Sequence, residues 1–160
     1  MDDAPKVLAI ASGGGHFVQL LRLMPAFEGT RLTVATTHAA NRPEVDALAA
    51  TLGFPRPDFK TVTEANRWQK LKLIKAVFDV ARLITALRPD VIVTTGAAPG
   101  YLAIRLGRLF GARTIWLDSI ANAEELSLSG KKAGDIADLW LTQWEHLSTD
   151  TGPKYRGSVV

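Results

Sequence analysis

Three consecutive glycines and a histidine, Gly13-Gly14-Gly15-His16, stand between the apolar run Val7-Leu8-Ala9-Ile10-Ala11 and a segment in which Val18, Leu20, Leu21, Leu23 and Met24 recur at helical spacing. The first run is short and carries β-branched residues, so the pattern predicts a strand, a tight turn and a helix. A strand feeding a helix through such a turn points to α/β architecture. It also marks a candidate ligand site, because open α/β sheets bind ligands outside the carboxyl ends of their strands.

The alternation continues along the chain. Strands are predicted over 31–37, 59–63, 90–95, 113–117 and 139–142, and helices over 43–52, 66–87, 99–110 and in the segment ending at 137. Strand-helix alternation implies right-handed crossovers and a parallel sheet covered on both faces. The expected fold is α/β, a Rossmann-like parallel sheet with helices on both faces. Residues 1–160 are read as a single domain, since 160 residues with 47% hydrophobic and 22% charged content suit one core and contain no repeat or low-complexity linker.

Several function classes fit poorly. There is no cysteine, so disulfides and thiolate chemistry are excluded, which suits a reducing compartment. The acidic start Met1-Asp2-Asp3 is unlike a signal peptide, and no apolar run reaches the ~20 residues of a membrane span. A net charge of +3 does not call for a nucleic-acid partner. The dinucleotide fingerprint G-x-G-x-x-G would need Gly or Ala where Val18 stands, and the second strand ends Thr36-Thr37-His38 without the acidic residue that holds a ribose. A Walker loop would need Gly where Glu125 stands before Gly130-Lys131.

A second glycine loop, Thr94-Thr95-Gly96-Ala97-Ala98-Pro99-Gly100, again follows a strand and precedes a helix. Parallel strands present their carboxyl ends on one side, so this loop, the first glycine loop and the strand end Asp118-Ser119 are expected to converge on one crevice. Glycine there allows positive φ and close approach of a ligand to backbone N–H groups, although the turn alone can require it. His16, at a helix start facing the crevice, is the candidate general base because imidazole titrates near neutrality; the alternative is a residue that hydrogen-bonds the turn. Asp118 and Glu145 are the competing carboxylates, with a strand-end Asp more often a loop organiser. His38 and His146 read as surface or partly buried residues. No Asp-x-Asp occurs and no two histidines have helical ligand spacing, so no metal site and no cofactor are expected.

The long helix predicted over 66–87 carries two patterns. Leu71, Ile74, Phe78, Ala81, Ile84 and Leu87 follow three-to-four spacing and are expected to face the core, with Trp68, Leu73, Val77 and Val80 off that stripe. Arg67, Lys70, Lys72 and Lys75, with no acidic residue among them, suggest contact with an anionic membrane surface, or else a solvated basic face.

Taken together, Ser12-Gly13-Gly14-Gly15-His16, Thr94-Thr95-Gly96-Ala97, Asp118-Ser119-Ile120-Ala121-Asn122, Leu126-Ser127-Leu128-Ser129-Gly130-Lys131, Leu141-Thr142-Gln143-Trp144-Glu145 and Tyr155-Arg156-Gly157-Ser158-Val159 cover essentially the whole chain. In order and spacing the chain resembles the bacterial PssD-like polysaccharide glycosyltransferase subunits, which are related to the eukaryotic membrane-anchoring subunit of the dolichol-linked N-acetylglucosaminyltransferase. The resemblance implies one half of a GT-B glycosyltransferase, similar to the acceptor-binding half of MurG-like enzymes. It implies a second GT-B half-subunit that carries the nucleotide-sugar site, a nucleotide-sugar donor and a lipid-linked saccharide acceptor. It also implies a place on the cytoplasmic side of the membrane, with activity only in the assembled pair.

On this reading Gly13, Gly14, Gly15, Thr95, Gly96, Ser119, Asn122, Ser129 and Gly130 are the expected substrate-binding residues. Trp144, Tyr155 and Arg156 are of the types that dominate interfaces, and are expected to dock the partner. The eukaryotic relatives carry an N-terminal membrane helix, whereas only six polar or small residues precede Val7, so attachment is expected through Arg67, Trp68, Lys70, Lys72 and Lys75. Two other readings stay open: a non-catalytic scaffold that recruits the catalytic partner to the membrane, and a small nucleotide- or NAD-binding Rossmann protein.

Overall fold

The computed structural model describes residues 3–66 and 68–159. Seven strands, β1 (Lys6–Ile10), β2 (Arg31–Thr36), β3 (Asp58–Thr61), β4 (Val91–Thr94), β5 (Arg113–Leu117), β6 (Leu139–Thr142) and β7 (Lys154–Tyr155), form one sheet in the order β3-β2-β1-β4-β5-β6-β7. Every neighbouring pair is parallel. The helices are α1 (Gly15–Arg22), α2 (Arg42–Leu52), α3 (Lys70–Leu87), α4 (Ala97–Leu109) and α5 (Leu128–Ala133).

Side chains alternate across a strand, so each face of β1 builds a different core. Val7 and Ala9 pack with Phe17, Leu20, Met24, Val45 and Ala49 from the α1–α2 side. Leu8 and Ile10 pack with Val80, Ile84, Ile92, Ile104, Trp116 and Ala133 from the α3–α5 side. The Rossmann-like expectation is met. From β1 the chain steps outward to β3 and then returns to β4 on the other side of β1. Sheets of this order bind ligands beyond the carboxyl ends of their strands at that switch point, between the loops after β1 and β4.

Most predicted strand boundaries lie within two residues of those observed. The sequence pattern did not reveal β7, a two-residue edge strand beyond β6.

The reading of the long helix requires correction. It starts at Lys70 rather than at 66, and Arg67 lies outside the described residues. Leu71, Ile74 and Phe78 do not face the core but are 84%, 65% and 66% exposed, while Ala76, Val80, Leu83 and Ile84 are buried. Ile84 is thus the one fully buried member of the expected stripe, with Ala81 and Leu87 half-buried.

Both faces of α3 are apolar, so periodicity alone does not choose between them. Val80, Leu83 and Ile84 pack in the core, and a clamp to the loop after β3 holds the same orientation. The Asp79 carboxylate accepts from the Thr63 backbone N–H at 3.1 Å and from its hydroxyl at 2.6 Å, and the Lys75 ammonium donates to that hydroxyl at 2.7 Å. Lys75 is therefore engaged with this clamp, 3.6 Å from the Asp79 carboxylate. Lys70 and Lys72 remain exposed beside the apolar stripe.

The Thr63 donors, with the Lys75 charge behind them, hold the Asp79 carboxyl below its ordinary value. A depressed folded value means that its stabilisation is present at neutral pH and is lost as pH falls through the folded value. Asp79→Ala should therefore melt below the natural chain near pH 7. Thermal melts across an acid pH series should show that gap closing as pH falls through the depressed value of the natural carboxylate; a gap independent of pH would remove the clamp's ionic character.

Candidate functional site

The first glycine loop leaves β1 and turns into α1. Each of its glycines is used differently. A Cβ on Gly13 would collide with the His38 imidazole, and the Gly13 N–H donates to the Thr37 hydroxyl at 3.0 Å, so this residue lets the end of β2 close over the loop. Gly14 has φ +75°, in the left-handed region where side chains are strained. Gly15 has neither constraint. A Cβ there would meet only open space.

Gly14 caps α1 without a side-chain hydrogen bond, and no acidic residue occupies the first turn. Helix α4 begins in the same way at Gly96. The N–H groups of a first helical turn have no partner within the helix and carry its positive end. Two such ends flank the switch point. Helix α5 differs, because the Ser127 hydroxyl accepts from the Gly130 N–H at 2.8 Å.

His16 bridges the two glycine loops. Its Nδ1 lies 2.8 Å from the Thr95 carbonyl oxygen, and the Thr95 hydroxyl donates back to the His16 carbonyl at 2.6 Å. The two readings of His16 are therefore compatible: one nitrogen bonds the turn, and the ring's other side carries Nε2.

Asp118 is 2% exposed and is surrounded by donors. One oxygen accepts from the Trp116 indole at 3.1 Å and the Ser127 hydroxyl at 2.6 Å. The other accepts from the Asn122 amide at 3.1 Å and the Ser127 N–H at 3.0 Å. This is the loop-organiser geometry, and it uses the side chains of Asn122 and Ser127 for the same purpose. Gly130 is buried beneath it, since a Cβ there would strike the carboxylate. Ser129 is half-buried on α5, and Lys131 pairs with Glu125 at 2.6 Å.

The strand-end loops are joined by two glutamines that the sequence reading passed over. The buried Gln19 amide donates to the Ser119 hydroxyl at 3.0 Å and accepts from the Ile120 N–H at 3.0 Å. The Gln143 amide donates to Gln19 at 2.6 Å and to the Asp118 carbonyl at 3.0 Å, and its oxygen accepts from the Val159 N–H at 2.9 Å. Ser119 is thus buried at the end of β5 and tied to α1. The available signal was a Gln among the apolar residues of α1, three positions after His16. His38 was also missed as a neighbour of the glycine loop, although its surface exposure agrees with the reading made of it.

The C-terminal candidates are spread out. The Trp144 indole donates to the Ile120 carbonyl at 2.8 Å and its ring stands 5.8 Å from that of His146, so it packs back on the loop after β5. Glu145 is exposed in the 3-10 turn Glu145–Leu147, Tyr155 is half-buried in β7, and Arg156 is exposed. A groove of about 450 Å³ lies around Lys6, Arg31 and Asp58, at the opposite end of the sheet, and none of the candidate site residues lines it.

A family model described as "Oligosaccharide biosynthesis protein Alg14 like" matches residues 7–159. The chain belongs to this Alg14-like family. It is 27% identical over 177 residues to the UDP-N-acetylglucosamine transferase subunit ALG14 of Yarrowia lipolytica, covering 98% of this chain and 82% of that relative. Its fold is similar to Acinetobacter baumannii MurG, with a TM-score of 0.71 and 16% identity over 98% of this chain and 46% of that one. It is also similar to the UDP-N-acetylglucosamine 2-epimerase of Rickettsia bellii, with a TM-score of 0.69, 16% identity and 98% and 45% coverage. At such identities the likeness shows the fold, that of one half of a GT-B glycosyltransferase. The chain spans under half the length of these solved proteins.

For this Alg14-like chain the glycines give a direct contrast. Gly13→Ala must displace His38 and should lower the melting temperature. Gly15→Ala should match or exceed the natural chain, because alanine in a helical position is favoured by up to ~1 kcal/mol over glycine. Equal loss in both variants, measured by thermal unfolding, would place both glycines in the turn's own packing.

Proposed function

We propose that this chain is one subunit of a two-component GT-B glycosyltransferase that moves a sugar from a nucleotide-sugar donor to a lipid-linked saccharide, within the PssD-like bacterial polysaccharide branch of the family. The observation that supports the reading is the coverage of its relatives. The chain aligns with 82% of a relative named as a transferase subunit but with only 46% of a MurG. The other half, with the nucleotide-sugar site, comes from a second subunit. Trp144, Tyr155 and Arg156 are proposed to face it.

In this reading the acceptor hydroxyl attacks the anomeric carbon and loses its proton to His16 Nε2. The bond from that carbon to the diphosphate oxygen breaks, and the nucleoside diphosphate leaves with the electron pair. The uncapped starts of α1 and α4 favour a diphosphate in the crevice. Gly14 and Gly15 leave the backbone at the start of α1 open to close approach, while Gly13 and Gly96 make room for the His38 and His16 rings, and Ser119 is proposed to act from the end of β5. Asn122 and Gly130 contribute through the Asp118 loop, with Ser129 beside them. The donor named by the relatives, UDP-N-acetylglucosamine, is the first to test.

Membrane contact belongs to the same proposal. Helix α3 follows the edge strand β3 and so starts at the carboxyl ends of the strands, on the same side of the sheet as the glycine loops. Trp68, at 78% exposed, precedes it, and Leu71, Ile74 and Phe78 continue one outward stripe flanked by Lys70 and Lys72. An exposed apolar stripe rimmed by cations suits an anionic lipid surface at about 1 kcal/mol per basic residue. No helix among the described residues is long and apolar enough to cross a membrane.

His16→Ala should lower turnover of the assembled pair by roughly 10²- to 10⁴-fold, and the chain without its partner should turn over little or no sugar nucleotide. Robust turnover by the isolated chain would overturn the two-subunit reading. Separately, the natural chain should co-sediment with vesicles containing anionic lipid, less so as salt rises. Changing Lys70 and Lys72 to Glu should release it while Lys75, held in the Thr63 clamp, is left in place. Equal sedimentation of both forms would return α3 to a solvated cover for the sheet.

A further inference from the structure

We propose that the second glycine loop sets the tautomer of His16, with Thr95 as a positioning residue that keeps the neutral imidazole protonated on Nδ1 and unprotonated on Nε2. The inference rests on the reading of His16 as the base, and it adds how that base is prepared.

A carbonyl oxygen can only accept a hydrogen bond. At 2.8 Å from the Thr95 carbonyl, His16 Nδ1 must therefore be the donor, and in a neutral imidazole the other nitrogen is then the acceptor. Histidine free in water prefers the opposite arrangement, so the loop imposes this one. Thr95 is completely buried, and its hydroxyl returns a bond of 2.6 Å to the His16 carbonyl. The exchange joins the loops after β1 and β4, two paired strands, and fixes the backbone at both ends.

The ring is also bounded sterically. A Cβ on Gly96 would lie 3.0 Å from both Nδ1 and Cε1 and 3.7 Å from the Trp116 indole. The imidazole therefore rests against the bare Cα of Gly96, and a Cβ there would press on the ring by a few tenths of an ångström.

The partner of Nδ1 is a neutral carbonyl and not a carboxylate, which has a mechanistic consequence. The carbonyl cannot take a proton. Nδ1–H is donated to it whether or not Nε2 is protonated, so a proton arriving from the acceptor hydroxyl enters and leaves at Nε2 alone. The ring neither flips nor exchanges tautomers during the cycle. Thr95 thus acts through His16 and does not itself need to touch substrate.

Two-bond ¹H–¹⁵N correlation spectra of the ¹⁵N-labelled full chain test this without any variant. Above the titration of His16, Nδ1 should resonate as a protonated nitrogen and Nε2 as an unprotonated one. A predominant Nε2–H form, or the averaged shifts of free histidine, would overturn the proposal. Thr95→Val removes the hydroxyl but keeps the shape, and should move His16 toward averaged shifts; Thr95→Ser should retain the Nδ1–H form. Unchanged shifts in Thr95→Val would remove the side chain from the proposal.

In the assembled pair, with UDP-N-acetylglucosamine as donor, Thr95→Val should lower kcat by about 10- to 10²-fold with little change in KM, as expected for a misplaced catalytic group. Thr95→Ser should restore it. If the Nδ1–H tautomer is found but His16→Ala leaves turnover intact, it is the base reading that fails and the positioning that stands.

Discussion

Gln19 sits on the buried side of a helix among Phe17, Leu20 and Leu21, and its amide binds the ligand end of the sheet together. Through Ser119, Ile120 and Gln143 it joins α1 to the loop after β5 and to the end of β6, and Gln143 extends the connection to Val159. A buried amide is costly unless all of its polar atoms are engaged, and engaged it tolerates only one geometry. That makes it a register pin. The first glycine loop is tied to it directly, because the Gln19 amide also donates to the Gly15 carbonyl at 3.3 Å, and this holds the start of α1 against the Asp118 loop. The Asp118 carboxylate performs the same service one loop further along, with four donors and no group left over for chemistry.

How much of this could be read from the sequence differs by kind of signal. The β1-turn-α1 unit was legible because a short apolar run, positive-φ glycine and helical spacing all agree there. The strands β5 and β6 were legible for the same reason, being apolar runs bounded by turn residues. Helix α3 was legible as a helix but not in its orientation. Its two apolar faces satisfy the same periodicity, and the one that turns inward is held by contacts outside the helix, the core packing of Val80, Leu83 and Ile84 and the bonds of Asp79 to Thr63. A contact of this kind has no trace in a hydrophobic pattern.

The candidate site divides along the same line. Residues that act through backbone shape, such as Gly13, Gly14 and Gly96, announce themselves as glycine clusters after strands. Residues that act through long-range hydrogen bonds do not. His16 and Thr95 are 79 positions apart, and Gln19 and Gln143 are 124 apart. The family resemblance supplied the order of the motifs, and the geometry then separated their jobs: Asn122 and Gly130 support a loop, Trp144 packs on it, and His16 alone lies between two uncapped helix starts. The same fold occurs in a transferase and an epimerase, so the reaction must be argued from these side chains and not from the sheet.

Backbone strain gathers at the second glycine loop. Ala97 has φ +64°, a left-handed conformation in a residue that has a Cβ, and it follows Gly96 at φ +123°. Among the described residues the only other non-glycine with positive φ is Arg88, which ends α3 at the far side of the sheet. Such a residue costs of order 1–3 kcal/mol and persists only where its surroundings over-determine it. Here the surroundings are β4 on one side and the buried Pro99 and Gly100 of α4 on the other. The Thr95 carbonyl belongs to the peptide that enters Gly96, so the Gly96 φ of +123° is the rotation beside it, and it is a rotation that a residue with a Cβ rarely adopts. The left-handed Ala97 that follows turns the chain from that peptide into α4, so the backbone geometry that presents the carbonyl to His16 and the strain at the start of α4 lie in consecutive residues.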